Sequence, residues 1–377
     1  MNAGIYIHIP FCRSRCSYCD FATEVYTNED IVTHYIEALC AEISTSSAGR
    51  DALFDTIYFG GGTPSLLTAE QLEKIVGKIK QNFAIVENPE FTVEMNPKTV
   101  SLEKLREFRN LGINRASFGV QTFDDNALKM LARGHNTKDA LETFALLQEA
   151  DFNNVSFDLI GGLPHQTLED WNHNLDNAMI LNPEHISLYL LDIHPQTPLA
   201  EQIRTKRQPQ PNEDLAAEMY ETMLRRLSVN GFEQYEISNF AKPGFESRHN
   251  LKYWLCAPVF GFGIGAHSFD GVSRRWGNTR NLKTYIANSQ KHEMIVSEEY
   301  SLSEKQLSGE FAFLNLRLIQ GVNLNEFRER FGFDLIQSKK SELDSLFSLD
   351  LVAIRDNRLA LTKKGLLFSN EVFETFV

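Results

Sequence analysis

The sequence predicts an α/β fold, a parallel sheet flanked by helices through about residue 240, followed by a smaller helical domain with one hairpin. Three observations predict it. Short β-branched and aromatic runs alternate six times with amphipathic helical stretches, which makes parallel neighbours joined by crossover helices the natural arrangement. Glycines and polar residues cluster just after those runs, where parallel α/β folds place their ligand sites. From residue 301 the pattern changes to successive helices and two short strands.

Strands are expected over 5–9, 56–59, 91–95, 115–120, 155–160 and 185–191. Amphipathic stretches over 68–83, 137–149 and 168–180 lie between them. Thr68 and Gln71 stand at capping-box spacing, and Thr167 with Asp170 forms a looser version. This periodicity is shared by barrels and doubly wound open sheets, so it does not choose between them. A polar loop, Gln208-Pro209-Gln210-Pro211, precedes a helical stretch over 215–227, and Lys242-Pro243-Gly244 marks a second break. Residues 244–300 are rich in glycine, aromatics and arginine and show little periodicity, so they read as a connecting segment that lines a site. The division expected is therefore 1–240, 241–300 and 301–377. In the last part, helical patterns over 302–318, 324–331 and 335–347 precede a hairpin of 351–354 with 359–361. Thr362 then caps a final helix through Phe373, and helices plus a hairpin are winged-helix-like.

Composition excludes several classes. With 42% hydrophobic and 23% charged residues the chain has an ordinary soluble globular composition, and no apolar run reaches the roughly 18 residues of a membrane span. The N-terminus enters a strand directly, with no basic region of a signal peptide, so a cytoplasmic protein is expected. A net charge of -13 argues against general nucleic-acid binding, which needs a positive footprint. Residues 301–377 carry 10 Lys/Arg against 11 Asp/Glu, so a DNA-reading role for the winged-helix-like part has no support.

The strongest chemical signal is Cys12-x3-Cys16-x2-Cys19, directly after the first strand. Three thiolates are one ligand short of a closed structural zinc site, whose fourth ligand would be His8 or a residue from a distant loop. They suit a [4Fe–4S] cluster with one iron left open. Of the other two cysteines, Cys40 shares an amphipathic face with Ile31, Tyr35, Leu39 and Ile43 and reads as a small buried residue, and Cys256 has the same default. The loop Gly60-Gly61-Gly62-Thr63-Pro64 follows the second strand; it allows close backbone approach to a ligand and lacks the Gly-Lys-Ser/Thr of a P-loop. Glu94, Gln121, Arg133 and Asp158 would individually be ordinary rim residues or caps. Together, beside an open iron, they could clasp a zwitterionic amino acid and a ribose.

With these motifs the chain resembles the radical S-adenosylmethionine (SAM) proteins, and more closely the oxygen-independent coproporphyrinogen III oxidase family. The strings that carry this are Tyr6-Ile7-His8-Ile9-Pro10-Phe11-Cys12, Gly119-Val120-Gln121-Thr122-Phe123, Ala132-Arg133-Gly134-His135 and Asp158-Leu159-Ile160-Gly161-Gly162-Leu163-Pro164. The resemblance implies a partial (β/α)6 barrel, a [4Fe–4S] cluster on Cys12, Cys16 and Cys19, and SAM on the open iron. SAM contacts are then expected from Tyr6, Gly61, Gly62, Thr63, Glu94, Gln121, Arg133 and Asp158. The oxidases carry a further cysteine two residues after the third, where this chain has Phe21. Cys19-Asp20-Phe21 instead resembles the HemW branch, the heme chaperones, and so does Ser247-Arg248-His249-Asn250-Leu251-Lys252-Tyr253-Trp254 with its His-Asn-x-x-Tyr-Trp pattern.

That branch implies heme near His249 and delivery to heme-acceptor proteins, respiratory ones at the membrane surface among them. A homodimer is compatible with it. Physically, a neutral imidazole suits an axial iron ligand, Tyr253 and Trp254 could stack on a porphyrin, and Arg248 or Lys252 could pair with a propionate. Without the resemblance a His-Asn pair in an aromatic loop is more often structural, and Cys256 and His267 are alternative ligands. SAM could be cleaved reductively to a 5′-deoxyadenosyl radical or mainly tune transfer. The competing function is the oxidase reaction itself, oxidative decarboxylation of coproporphyrinogen III propionates.

Overall fold

The computed structural model describes residues 1–377. Its centre is a parallel sheet of β1 (Ala3–Ile9), β4 (Leu53–Gly61), β5 (Ala84–Met95), β6 (Arg115–Gln121), β7 (Val155–Gly161) and β8 (His185–Leu190), in that spatial order. Between β1 and β4 the cysteine loop carries a short parallel pair, β2 (Phe11–Cys12) with β3 (Glu24–Val25), and then α1 (Glu29–Thr45). The other crossovers are α2 (Ala69–Asn82), α3 (Leu102–Asn110), α4 (Asp125–Met130) with α5 (Thr137–Glu149), and α6 (Leu168–Leu181). After β8 come α7 (Pro198–Arg204) and α8 (Glu213–Val229). The expected capping boxes at Thr68/Gln71 and Thr167/Asp170 are both formed. The architecture is an α/β partial barrel with a smaller C-terminal helical part, as expected.

The barrel arises from a two-residue alternation inside the strands. One set of side chains is apolar and packs under the helices: Ile5, Ile7, Ile57, Phe59, Phe91, Val93, Phe118, Phe157 and Leu159 are all buried. The alternate set is polar and faces the lumen: Thr56 and Tyr58, Thr92 and Glu94, Arg115 and Ser117, Ser156 and Asp158, His185 and Ser187.

Residues 244–300 differ from the sequence expectation of an irregular connection. The sheet continues through β9 (Glu233–Gln234) and β10 (Asn239–Ala241) beyond β8, while β11 (Val259–Phe262) lies parallel to β1 on the other side. Antiparallel strands β12 (His267–Phe269), β13 (Arg274–Asn278) and β14 (Val296–Ser301) follow, with helices α9 (Arg248–Trp254) and α10 (Leu282–Lys291). Periodicity missed these strands because they are three to six residues long and β11, Val-Phe-Gly-Phe, is buried at every position and shows no alternation.

The C-terminal part has its own apolar core. Helices α11 (Glu304–Leu316), α12 (Leu324–Phe331), α13 (Leu335–Ser338), α14 (Lys340–Ser348), α15 (Lys363–Leu367) and α16 (Ser369–Glu374) surround a small sheet. Its strands are β15 (Val322–Asn323), β17 (Arg358–Leu361) and β16 (Val352–Arg355), in that order. Phe311, Phe327, Leu343 and Val372 form its centre, and Cys256 and Phe269 from the preceding segment join it. No helix is long and apolar enough to cross a membrane.

Candidate functional site

A cavity of about 390 Å³ opens at the C-terminal ends of the barrel strands. Cys12, Cys16 and Cys19 line it, all three as free, partly exposed thiols. Burial first, offset by the Thr63 hydroxyl, pushes the Cys12 thiol up to about 11, and burial also raises Cys19. These residues fit a cluster. All three line one cavity, and Thr63 and Arg133 aim donors at Cys12 Sγ and Cys16 Sγ over 3.6 and 3.4 Å, the kind of support a coordinated thiolate takes. His8, the alternative fourth ligand for zinc, has both ring nitrogens engaged, Nδ1 with the Tyr6 hydroxyl at 3.0 Å and Nε2 with the Ala22 carbonyl at 2.9 Å.

The glycine loop must be glycine. A Cβ on Gly61 would stand 2.6 Å from the His8 ring, and one on Gly62 2.7 Å from the backbone of Pro10. The loop thus packs directly beneath the strand that delivers Cys12, and the Gly62 amide donates to the Ile9 carbonyl over 2.8 Å. Gly61 also has φ +113, open to glycine alone among common residues. Its amide donates to Glu94 Oε2 at 3.0 Å, and the Tyr58 hydroxyl donates to Oε1 at 2.6 Å.

Two carboxyls stand below the cysteines. Burial pushes Glu94 up to about 7, with the Tyr58 hydrogen bond opposing and Asp158 adding to the rise. Burial pushes Asp158 up to about 6, opposed by Ser187 and Arg133. Each therefore changes charge near neutral pH, a condition that desolvation in a ligand cavity produces. Arg133 acts as a strut, its guanidinium donating to Asn96 Oδ1 at 2.6 Å and the Gly119 carbonyl at 2.7 Å besides Cys16. Gln121 holds φ +69 at the end of β6, a left-handed turn that aims its side chain into the cavity.

Of the residues expected to contact SAM, Gly61, Gly62, Glu94, Gln121, Arg133 and Asp158 line this cavity with the three cysteines. Tyr6 and Thr63 do not. Tyr6 points down the lumen, where its hydroxyl meets His8 and its ring stacks on Tyr58 at 6.2 Å. Thr63 is buried beside Cys12 and accepts from Asn96 Nδ2 at 2.8 Å, so it braces a cysteine instead of lining the cavity. Sequence reasoning missed Tyr189 and Leu190, which end β8, and His194 in the loop after it, all three of which line the cavity. The apolar run through β8 into Leu191 hid them.

His249 lies at the opposite end of the barrel. Helix α9 closes the lumen floor, and Glu90 receives the backbone amides of Arg248 and His249, both at 2.9 Å. The His249 ring is 1% exposed, stacks on Tyr58 at 5.0 Å, and shares Nδ1 with Thr56 at 2.8 Å and Nε2 with Tyr253 at 3.3 Å. Burial and then Lys252 hold it down at about 3, so the imidazole is neutral. Trp254 faces the C-terminal part, with the Arg317 guanidinium 4.3 Å over its ring. The alternatives are equally placed apart: Cys256 is buried in the second core, and His267 sits exposed on β12 beside Glu298.

Comparison with known proteins agrees with this geometry. The radical SAM superfamily matches residues 6–178, and the HemN C-terminal domain matches residues 302–368. The heme chaperone HemW of Bacillus subtilis (strain 168) is 38% identical over 374 residues, 99% of this chain and 98% of that protein. That of Lactococcus lactis subsp. lactis is 35% identical over 373 residues, 99% and 96% of the two chains. That of Escherichia coli (strain K12) is 31% identical over 385 residues, 99% and 98%. Among solved structures, coproporphyrinogen III oxidase (HemN) from Escherichia coli, a radical SAM enzyme, superposes with a TM-score of 0.86 over 100% of this chain and 90% of that one. At 22% identity that likeness shows a shared fold.

Proposed function

The chain belongs to the HemW family of radical SAM proteins, and on that premise we propose that it binds heme and passes it to acceptor proteins. In this reading Cys12, Cys16 and Cys19 hold a [4Fe–4S] cluster. Gly61, Gly62, Glu94, Gln121, Arg133 and Asp158 hold SAM on the iron that lacks a cysteine, with Tyr6 and Thr63 supporting them from behind. Cluster and SAM supply one-electron chemistry when bound; the chain supplies placement. Glu94 and Asp158 present negative charge to the SAM ammonium, and the glycine loop, with no side chains of its own, lets the ligand approach the backbone closely. His249 is the proposed heme ligand of the His-Asn-x-x-Tyr-Trp motif, reached by iron once α9 leaves the barrel floor. Acceptors include respiratory proteins at the membrane surface, met from the cytoplasm.

The observation that carries the carrier reading is Phe21. It is 63% exposed at the cavity edge beside Cys19, an apolar ring where the oxidases of the resemblance have a cysteine. The test uses full-length protein, reconstituted anaerobically. Titration with heme is expected to saturate at one equivalent, and the loaded protein to pass heme to apomyoglobin as a generic acceptor. Incubation of the reduced protein with SAM and coproporphyrinogen III is expected to leave the substrate intact, and efficient formation of protoporphyrinogen would sink the carrier reading.

A further inference from the structure

A carrier must meet heme at a surface that heme can reach, and the buried ring of His249 is not one. Of the ten histidines in the chain, His194 alone lines the cavity that holds the cysteines. It belongs to the loop after β8, and its side chain is 44% exposed. Its ring nitrogens rest 3.6 Å from an Asp20 carboxylate oxygen and 3.8 Å from one of Asp192, beyond hydrogen-bond reach. An imidazole with no hydrogen bond on either ring nitrogen is free to take a metal on one, and a carboxylate this near can accept the other N–H after a small side-chain rotation. His8, His135 and His185, by contrast, are committed to hydrogen bonds inside the fold.

The surroundings of His194 match the rest of a heme. Phe21 and Tyr189 present exposed rings at the same opening, 63% and 43% exposed, and Leu190 extends the apolar rim. Large apolar side chains exposed together on a soluble protein mark a binding surface. Two guanidiniums stand at its edge. Arg15 lines the cavity and donates to the Cys19 carbonyl at 3.3 Å, and Arg280 donates to the Asp20 carbonyl at 3.1 Å, so both already brace this loop. A flat apolar face, an axial nitrogen and cations for carboxylates are the three demands of an iron porphyrin with two propionates.

We propose that the barrel mouth is a heme-docking site in its own right, with His194 as axial ligand, Phe21 and Tyr189 stacked on the porphyrin, and Arg15 and Arg280 paired with its propionates. The porphyrin lies across the opening and leaves the deeper part, around Gly61, Glu94 and Asp158, to SAM. Heme at this site covers the route to the cysteines, so its arrival and departure gate access to the cluster. The site rests on the carrier reading and takes the one heme while α9 keeps His249 buried at the other end of the barrel, so the two places are occupied in turn and never together.

The test is an anaerobic heme titration of the full-length reconstituted protein as wild type, His194→Ala, His194→Cys and His249→Ala. The readouts are the Soret band, the EPR spectrum of the ferric form, iron and sulfide content, and melting temperature. His194→Ala is expected to weaken heme binding at least about tenfold, the loss of an axial bond, with cluster content and melting temperature unchanged. His194→Cys is expected to bind heme with a thiolate-type spectrum, a change of signature that a structural role for residue 194 would not produce. Wild-type affinity and spectrum in both His194 variants, with binding lost in His249→Ala, would overturn the mouth site and leave the carrier reading standing. A wild-type protein that binds no heme would remove the carrier reading, and this site with it.

Discussion

Glu94 accepts from the glycine loop with one oxygen and from Tyr58 with the other, and Tyr58 stacks on His249. It is therefore both a charge for a ligand and a strut between the two ends of the barrel. Its carboxyl, pushed up to about 7 by burial, carries charge above that pH and loses it below. A ligand ammonium favours the charged form, so SAM affinity of the reconstituted wild type is expected to fall as pH drops from 8 to 6. Glu94→Gln should bind about tenfold more weakly at pH 8, a difference of about 1.4 kcal/mol, and keep only the part of the pH dependence that comes from Asp158, pushed up to about 6. Calorimetric titration across that range checks it, and a flat wild-type profile would remove the charge of Glu94 from SAM binding.

At the scale of elements, α9 is the informative one. Its seven residues are too few to be stable alone, so the helix exists because its neighbours hold it. Ser247 caps it, Glu90 takes its first amides, and Lys252 reaches Asp55 Oδ1 at 2.6 Å and the Asn2 carbonyl at 2.7 Å from a site only 7% exposed. Lys252→Met should cost about 3 kcal/mol, because it leaves Asp55 with Arg248 as its one remaining ion-pair partner. Urea unfolding measures the loss. Hydrogen exchange should show faster opening across residues 247–257 with cluster content intact; unchanged exchange there would mean that packing alone holds the floor. The sequence could announce the motif in α9 but not its burial, since Glu90 and Asp55 meet it only across the fold.

For the whole molecule, the junction between the barrel and the C-terminal part runs through Arg317. Its guanidinium lies 4.3 Å over Trp254 and 3.7 Å from Glu236, a carboxylate with no exposed surface, and an isolated bridge joins Glu236 to Leu318. The His-Asn-x-x-Tyr-Trp motif thus touches the C-terminal part directly through Trp254, so the two parts share a load and do not merely sit in series. Arg317→Ala should destabilise the protein by about 3 kcal/mol by leaving Glu236 buried with no ion-pair partner. A lower melting temperature with altered Trp254 fluorescence is expected; an unchanged melting temperature would show that apolar packing carries the junction alone.

Sequence alone determined the parallel α/β order, the cysteine loop, the glycine turn and the family strings, because these rest on local spacing: two-residue and helical periodicity, capping pairs and thiols within one loop. The polar lumen was legible too, in the alternation of residues 92 and 94, 115 and 117, 156 and 158, although only the strand-end residues were singled out from it. Tertiary structure decided which polar side chains share the cavity, sent Tyr6 and Thr63 to support it from behind, extended the sheet through residues 259–301, and separated the two ends of the barrel. It left His249 only 1% exposed at the floor and His194 open at the mouth. Neither placement is local: each depends on which distant chain segments cover a residue, and burial is a property of the assembled fold.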